Sequence, residues 1–204
     1  MNNIDQQVFI VDDEEDVRDS LKELVESIGI DACTFKNANE FLEAFNPDHS
    51  GCVLIDVRMP GMSGIDLQHK LKELEAGLPI IIITGHGDIP MAVQAMKEGA
   101  FEFLQKPFRD QDILDTITKA LEKDRLNREK YKNAKNLQHR IDSLTARERQ
   151  VVDLVLEGKA NKVIARELDL SDRTIEIHRS HAMRKLDAHS VAELVKIMLG
   201  SQTN

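Results

Sequence analysis

No stretch of about 18 consecutive apolar residues occurs in the chain, so no membrane-spanning helix is expected. The opening Met1-Asn2-Asn3-Ile4-Asp5 lacks the basic and apolar regions of a secretory leader. The expected compartment is therefore the cytoplasm. Two cysteines, Cys33 and Cys52, are too few and too isolated for a disulfide framework or a cysteine-type zinc site. They read as small core residues in a reducing environment. The seven histidines show no metal-ligand spacing. Glycine and proline are absent from Phe108 to Glu157, which excludes a conventional flexible linker there.

Positive charge is scarce in one half only. Residues 1–121 hold 10 Lys+Arg against 23 Asp+Glu, a net −13. Residues 122–142 hold 7 against 4, and residues 143–204 hold 10 against 9. These give +3 and +1, and complete the chain's total of −9. The 204 residues allow one large or two small domains, and the split predicts two parts with different partners.

What is present first is a set of short apolar runs that end in polar residues. Cys52-Val53-Leu54-Ile55 ends in Asp56, and the loop Val57–Gly64 follows. Val8-Phe9-Ile10-Val11 ends in Asp12-Asp13, and Ile80-Ile81-Ile82-Ile83 ends in Thr84. Phe101-Glu102-Phe103-Leu104 leads to Lys106-Pro107. Continuous apolar runs bounded by turn residues read as buried parallel strands. In open α/β sheets ligands bind beyond the carboxyl ends of such strands. Asp56 alone could simply cap the next turn. Four parallel strands would instead bring three carboxylates, a hydroxyl and an ammonium to one edge. Crowded carboxylates call for a cation, and a hard oxygen set suits Mg²⁺. A carboxylate nucleophile, a metal, a lysine and a hydroxyl are the parts that accept and hold a phosphoryl group.

Asp12-Asp13, Asp56, Thr84-Gly85 and Lys106-Pro107 resemble, in order and spacing, the receiver domain of bacterial two-component response regulators. The run Thr84–Val93 is similar to the FixJ-like branch. The remaining pattern agrees. Val17, Leu21, Leu24, Val25 and Ile28 recur at helical spacing before Gly29, and Asp31–Phe35 forms a second strand. Asn37 and Glu40 suit a capping box, and Ser63 caps a helix bearing Ile65, Leu67, Leu71 and Leu74. Asp88 and Pro90 start another helix, carrying Val93 and Met96, that Gly99 ends. Five strands alternating with helices predict a doubly wound parallel sheet. The resemblance implies the flavodoxin-like strand order 2-1-3-4-5.

Ile113, Ile117 and Leu121 form one helical face, and Leu137, Ile141 and Leu144 another. Between them Glu122–Asn136 is charged and rich in helix formers, which predicts a helical connector. It either pairs with its copy in a second chain or lies as a solvated helix, and the two apolar stripes do not decide between these. The expected division is residues 1–121, a helical linker 122–142, and a third part 143–204. In that part Thr145 and Glu148 cap a helix through Val155, Asn161–Leu168 is a second and Ser171 caps a third reaching Leu186. Ser190 caps a fourth, which Gly200 closes. Four short helices, two joined by a tight turn at Asp169-Leu170, fit an all-α helix-turn-helix domain. Lys159–Leu186, with the entry segment Leu144–Val151, resembles the LuxR/NarL type.

The resemblance implies a phosphorylation-controlled transcription factor rather than an enzyme, which can transfer and lose only its own phosphoryl group. Asp56 would attack the phosphorus of a phosphohistidine on a sensor kinase. Asp13, Asp56 and the backbone carbonyl of Arg58 would bind Mg²⁺ directly, and Asp12 mainly through water. Lys106 would pair with one phosphoryl oxygen and Thr84, with Gly85 beside it, would bond another. Phe103, exposed before activation, would turn inward into the space Thr84 leaves. Many receivers carry tyrosine there, so Phe103 keeps the packing move without the hydroxyl. Homodimerisation on phosphorylation, promoter DNA and RNA polymerase are the implied partners. Glu176, Ile177 and Ser180 would reach base edges, with Glu176 accepting from cytosine N4 and Ile177 touching a thymine methyl. Lys159, Lys162, Arg173, Thr174, Arg179 and Lys185 are the candidate phosphate contacts. The small net charge of residues 143–204 predicts modest binding by one domain and a need for dimers.

Three rivals differ in kind. A haloacid-dehalogenase-type phosphatase also uses a strand-end Asp with Mg²⁺, but wants a second Asp two residues on, where Arg58 stands. A small-molecule sensor of the LuxR type would need an apolar ligand pocket in place of acid-ended strands. A scaffold that is never phosphorylated has no need of the acidic set.

Overall fold

The computed structural model describes residues 6–85 and 89–200. The expected helix start at Asp88, with His86 and Gly87, lies outside the described residues, as does Met1–Asp5. The described chain forms two compact units, 1–128 and 129–204.

Five strands build the first unit: β1 (Gln7–Val11), β2 (Asp31–Phe35), β3 (Gly51–Asp56), β4 (Ile80–Thr84) and β5 (Glu102–Gln105). They pair all in parallel in the order β2-β1-β3-β4-β5, as expected. The period of two along each strand sorts side chains to two faces. Phe9, Val11, Val53, Ile55 and Ile82 pack on one face with Ala38, Phe41, Leu67, Leu71 and Ala95. These partners come from α2 (Ala38–Ala44), α3 (Gly64–Glu73) and α4 (Ile89–Lys97). Val8, Ile10, Cys52, Leu54, Ile81 and Ile83 pack on the other face. There they meet α1 (Glu15–Glu26) through Leu21 and Val25, and α5 (Asp110–Asp142) through Ile113, Ile117 and Ala120. Helices on both faces explain why β3 and β4 are buried at every position, whereas the edge strands β2 and β5 are only partly covered.

The caps follow the sequence with one change. Asn37 accepts from the Glu40 amide, but the Glu40 carboxylate bonds the Lys36 amide rather than closing a box on Asn37. Ser63 makes a full capping box with Asp66. Two apolar residues read as helix-face positions, Ile28 and Leu74, lie beyond their helices and are exposed. Val93 and Met96 on α4 are exposed as well. Cys52 is buried as expected, and Cys33 only partly so.

α5 continues unbroken to Asp142, so the connector is helical. Its Leu137 and Ile141 pack in the second unit, with Leu144 just beyond the helix. The other helices there are α6 (Ala146–Leu156), α7 (Asn161–Leu168), α8 (Asp172–Leu186) and α9 (Val191–Gly200). Val151, Val152, Val155, Ile164, Ala165, Ile175, Ala182, Leu186 and Leu194 fill their shared core. Thr145 closes a capping box with Glu148, and Ser171 accepts from the Thr174 amide. α7 ends at Asp169 in the left-handed region (φ 54°), which turns the chain within Asp169–Ser171 into α8. A short polar side chain tolerates that conformation better than most.

Candidate functional site

The carboxyl ends of β1, β3, β4 and β5 bring Asp12, Asp56, Thr84 and Lys106 together. Asp12 and Asp56 are 2% and 7% exposed, and Thr84 is buried. The Lys106 ammonium donates to Asp12 Oδ2 at 2.7 Å and to Asp56 Oδ1 at 3.0 Å. Its backbone amide donates to the Thr84 carbonyl at 2.8 Å, which ties the end of β5 to β4. Asp56 Oδ2 accepts from the Arg58 amide at 2.7 Å, and Asp12 Oδ1 from the Glu14 amide at 2.9 Å. Both acids thus cap the turns that follow their strands, so the bland reading and the chemical one hold at once. Arg18 Nη1 donates to the Asp12 carbonyl at 2.8 Å and fixes that loop from the first turn of α1.

Burial pushes the Asp56 carboxyl up from its ordinary range. The Lys106 hydrogen bond and charge and the Arg58 amide pull against this, while the Asp12 charge adds to it. For Lys106, burial pulls down, but bonds to the two carboxylates outweigh it and raise the ammonium. The pair is therefore held as ions at a cost to Asp56.

Asp13 is exposed beside this cluster. Among the described residues no three His, Cys, Asp or Glu side chains gather closely enough to hold a metal. The donor set nevertheless fits a hard divalent cation. All its ligands would be oxygens, and two carboxylates share a single ammonium. Phe103 departs from the expectation of an exposed ring: it is half-buried and packs on the α3–α4 side of the core.

Gly64 was missed in the sequence reading. A Cβ there would lie 2.2 Å from the Asp56 carbonyl oxygen and 2.8 Å from Ile55 Cγ2. Its amide donates to the Val57 carbonyl at 2.9 Å. The signal was a glycine immediately after the helix-capping Ser63, a poor helix residue tolerated where backbones must approach closely.

In the second unit Glu176, Ile177 and Ser180 are exposed on α8. Glu176 and Ser180 line, with Arg179, an open groove of about 510 Å³ that reaches Asp187 and His189. Lys162 and Arg173 are exposed, and Thr174 Oγ1 lies 2.7 Å from Ser171 Oγ. Arg179 Nη1 donates to Asn161 Oδ1 at 2.7 Å, joining α8 to α7. Two of the expected phosphate contacts pair with acids of their own unit. Lys185 donates to Glu148 Oε2 at 2.6 Å and to the Ser143 carbonyl at 3.0 Å. Lys159 bridges Glu157 at 2.8 Å and Glu167 at 2.7 Å. A cation committed to carboxylates of its own domain has less charge to offer a phosphate.

Residues 8–118 match the family described as the response regulator receiver domain, and residues 142–198 match the bacterial regulatory proteins of the luxR family. This chain is a response regulator. It is 46% identical over 190 residues to nodulation protein W of Bradyrhizobium diazoefficiens, covering 93% of this chain and 84% of that one. It is 44% identical to the transcriptional regulatory protein FixJ of Rhizobium meliloti, covering 96% of each. Among solved structures, the response regulator StyR superposes with a TM-score of 0.90 at 45% identity over 96% of this chain and 98% of that one. Full-length FixJ from B. japonicum gives 0.60 at 41% identity over 98% of each. The regulator thus combines a receiver with a LuxR-type DNA-binding domain and acts in transcription. A receiver implies a histidine kinase as phosphodonor. Among the described residues no helix is long and apolar enough to cross a membrane.

Proposed function

We propose that the regulator works in the cytoplasm, takes a phosphoryl group on Asp56 from a sensor histidine kinase, dimerises through its receiver, and then binds promoter DNA. The observation that carries this reading is the Lys106 ammonium shared between buried Asp12 and Asp56 at the strand ends. An Asp56 oxygen attacks phosphorus, the phosphorus–nitrogen bond to the kinase histidine breaks, and its electron pair leaves on the imidazole. Asp12, Asp13, Asp56 and the Arg58 carbonyl would hold Mg²⁺, which supplies charge neutralisation to the phosphoryl oxygens. Lys106 transfers from the carboxylate pair to a phosphoryl oxygen, and the Thr84 hydroxyl donates to another. Gly85 follows Thr84 in an exposed bend, where a Cβ would meet nothing within 4 Å. Phe103 completes its burial as Thr84 moves.

We assign the receiver to residues 1–128, because the first unit includes the start of the expected linker. The remaining helix to Asp142 is the connector and residues 143–204 read DNA. Glu176, Ile177 and Ser180 meet base edges in the major groove, and Lys162, Arg173, Thr174 and Arg179 meet phosphates. Lys159 and Lys185 instead hold the domain together. RNA polymerase is the downstream partner of the bound dimer.

Incubation with Mg²⁺ and a small phosphodonor is expected to add the mass of one phosphoryl group, and Asp56→Asn to abolish the gain. A gain that survives the substitution rejects Asp56 as acceptor.

A further inference from the structure

Opposite the phosphoacceptor, at the amino ends of β1 and β3, a second buried carboxylate is fully engaged. Asp124 on α5 is 1% exposed. Its Oδ2 accepts from Ser50 Oγ at 2.7 Å, the Gly51 amide at 2.9 Å and Gln6 Nε2 at 3.1 Å. Gln6 Nε2 also donates to the Leu121 carbonyl at 2.8 Å. One turn on, Arg128 Nε donates to Asp124 Oδ1 at 2.9 Å, and its Nη2 reaches the His49 carbonyl. His49 in turn stacks on Phe9 of β1 with ring centroids 5.0 Å apart. The first compact unit ends at Arg128.

Glycine is required here. Gly51 sits at φ +137°, and a Cβ on it would fall 1.8 Å from the Gln7 carbonyl oxygen. The close approach of β1 and β3 is what turns the Gly51 amide toward Asp124.

Beyond Arg128 the character of α5 changes. Residues 129–136 are all exposed, until Leu137 packs in the second unit. This exposed stretch rises about 12 Å at 1.5 Å per residue. Among the described residues no core cluster includes any of residues 130–136, and isolated helix of that length is marginal in water. Its phase is set by what grips each end. At the receiver end the apolar packing of α5 stops at Ala120 and Leu121, Leu126 is exposed, and the last grip before the exposed stretch is the hydrogen-bonded charge pair of Asp124 and Arg128.

We propose that Asp124 and Arg128 are positioning residues for signal transfer: they anchor the connector helix to the base of the receiver sheet, and phosphorylation changes DNA affinity only while this anchor holds. The inference rests on the functional reading above. Neither residue touches the phosphoacceptor, so loss of the anchor is expected to spare phosphorylation itself.

Because Asp124→Ala leaves several buried donors unpaired and can simply unfold the receiver, the test uses Arg128→Gln, which removes the charge of the outer partner, 22% exposed, and keeps a side-chain amide. In the full-length chain, phosphodonor labelling, tryptic cleavage after Lys130, Lys132 and Lys135, and binding to a genomic DNA fragment selected by the phosphorylated protein are measured. The melting temperature is expected to fall, labelling measured well below it to stay near wild type, and cleavage at 130–135 to accelerate relative to cleavage elsewhere in the chain. The ratio of DNA affinities with and without phosphorylation is expected to fall about fivefold, the low end of allosteric couplings. A merely structural role would weaken both affinities alike and leave that ratio unchanged. If wild type responds to phosphorylation and Arg128→Gln responds equally, with unchanged cleavage, the anchor is overturned and the functional reading survives. If the labelled wild type shows no gain in affinity, the functional reading fails and the coupling falls with it.

Discussion

Lys106 carries the electrostatics of the receiver site. Its removal leaves Asp12 and Asp56 facing each other without a counter-ion. The lysine is partly open to solvent, so the loss is smaller than for a fully buried pair. Lys106→Ala is expected to destabilise the receiver by about 2 kcal/mol in a denaturant titration. Asp56→Asn should act in the opposite direction. Burial raises the Asp56 carboxyl, so its ionised form is the strained one, and that group's contribution is present at low pH and lost as pH rises through its folded value. At neutral pH the asparagine variant is expected to melt above wild type, by roughly 1 kcal/mol, while losing phosphorylation. Glu148 is the reverse case. Burial would raise its carboxyl, but the Lys185 bond and the Thr145 amide and hydroxyl bring it down to about 2. A depressed carboxylate stabilises above its unfolded value of 4.5 and loses this as pH falls toward 2. The DNA-binding unit is expected to lose on the order of 2 kcal/mol across that window, and Glu148→Gln to flatten the dependence.

At the scale of elements, the site depends on how tightly α3 follows β3. Gly64→Ala would drive a methyl into the Asp56 carbonyl, so the β3–α3 loop must shift. A loss of about 2 kcal/mol is expected, with slowed phosphodonor labelling, because Arg58 and its amide move with that loop. Normal labelling at wild-type stability would show that the contact is not needed. The elements were legible wherever the apolar period was clean. The four-isoleucine strand, the acid-ended strands and the Ser63, Thr145 and Ser171 caps all signal locally. What stayed hidden depends on contacts between residues distant in sequence. Asp124 looks like one more charge in a charged helix, and only the approach of Ser50 and Gly51 reveals it as buried. Lys185 looked available because its partner, Glu148, lies two helices earlier in the chain. Phe103 shows the same limit, since strand pattern alone cannot say how far an edge-strand ring is covered.

For the whole molecule, the charge split has a functional consequence. Residues 143–204 hold 10 basic against 9 acidic residues, and Lys159 and Lys185 pair with acids among them. So small a net charge predicts modest binding by one domain and a need for two on one operator. Sedimentation with a beryllofluoride phosphate mimic and Mg²⁺ is expected to show a dimer, and an unchanged monomer would refute assembly by phosphorylation. The central claim joins the two ends of the chain: chemistry at Asp56 governs DNA occupancy. Its most direct test is the affinity of the full-length protein for a genomic fragment that it selects, before and after phosphodonor treatment, beside Asp56→Asn treated identically. The account predicts a gain of about tenfold or more in the wild type and none in the variant. An equal gain in both proteins, or none in a wild type shown to be labelled, would contradict it.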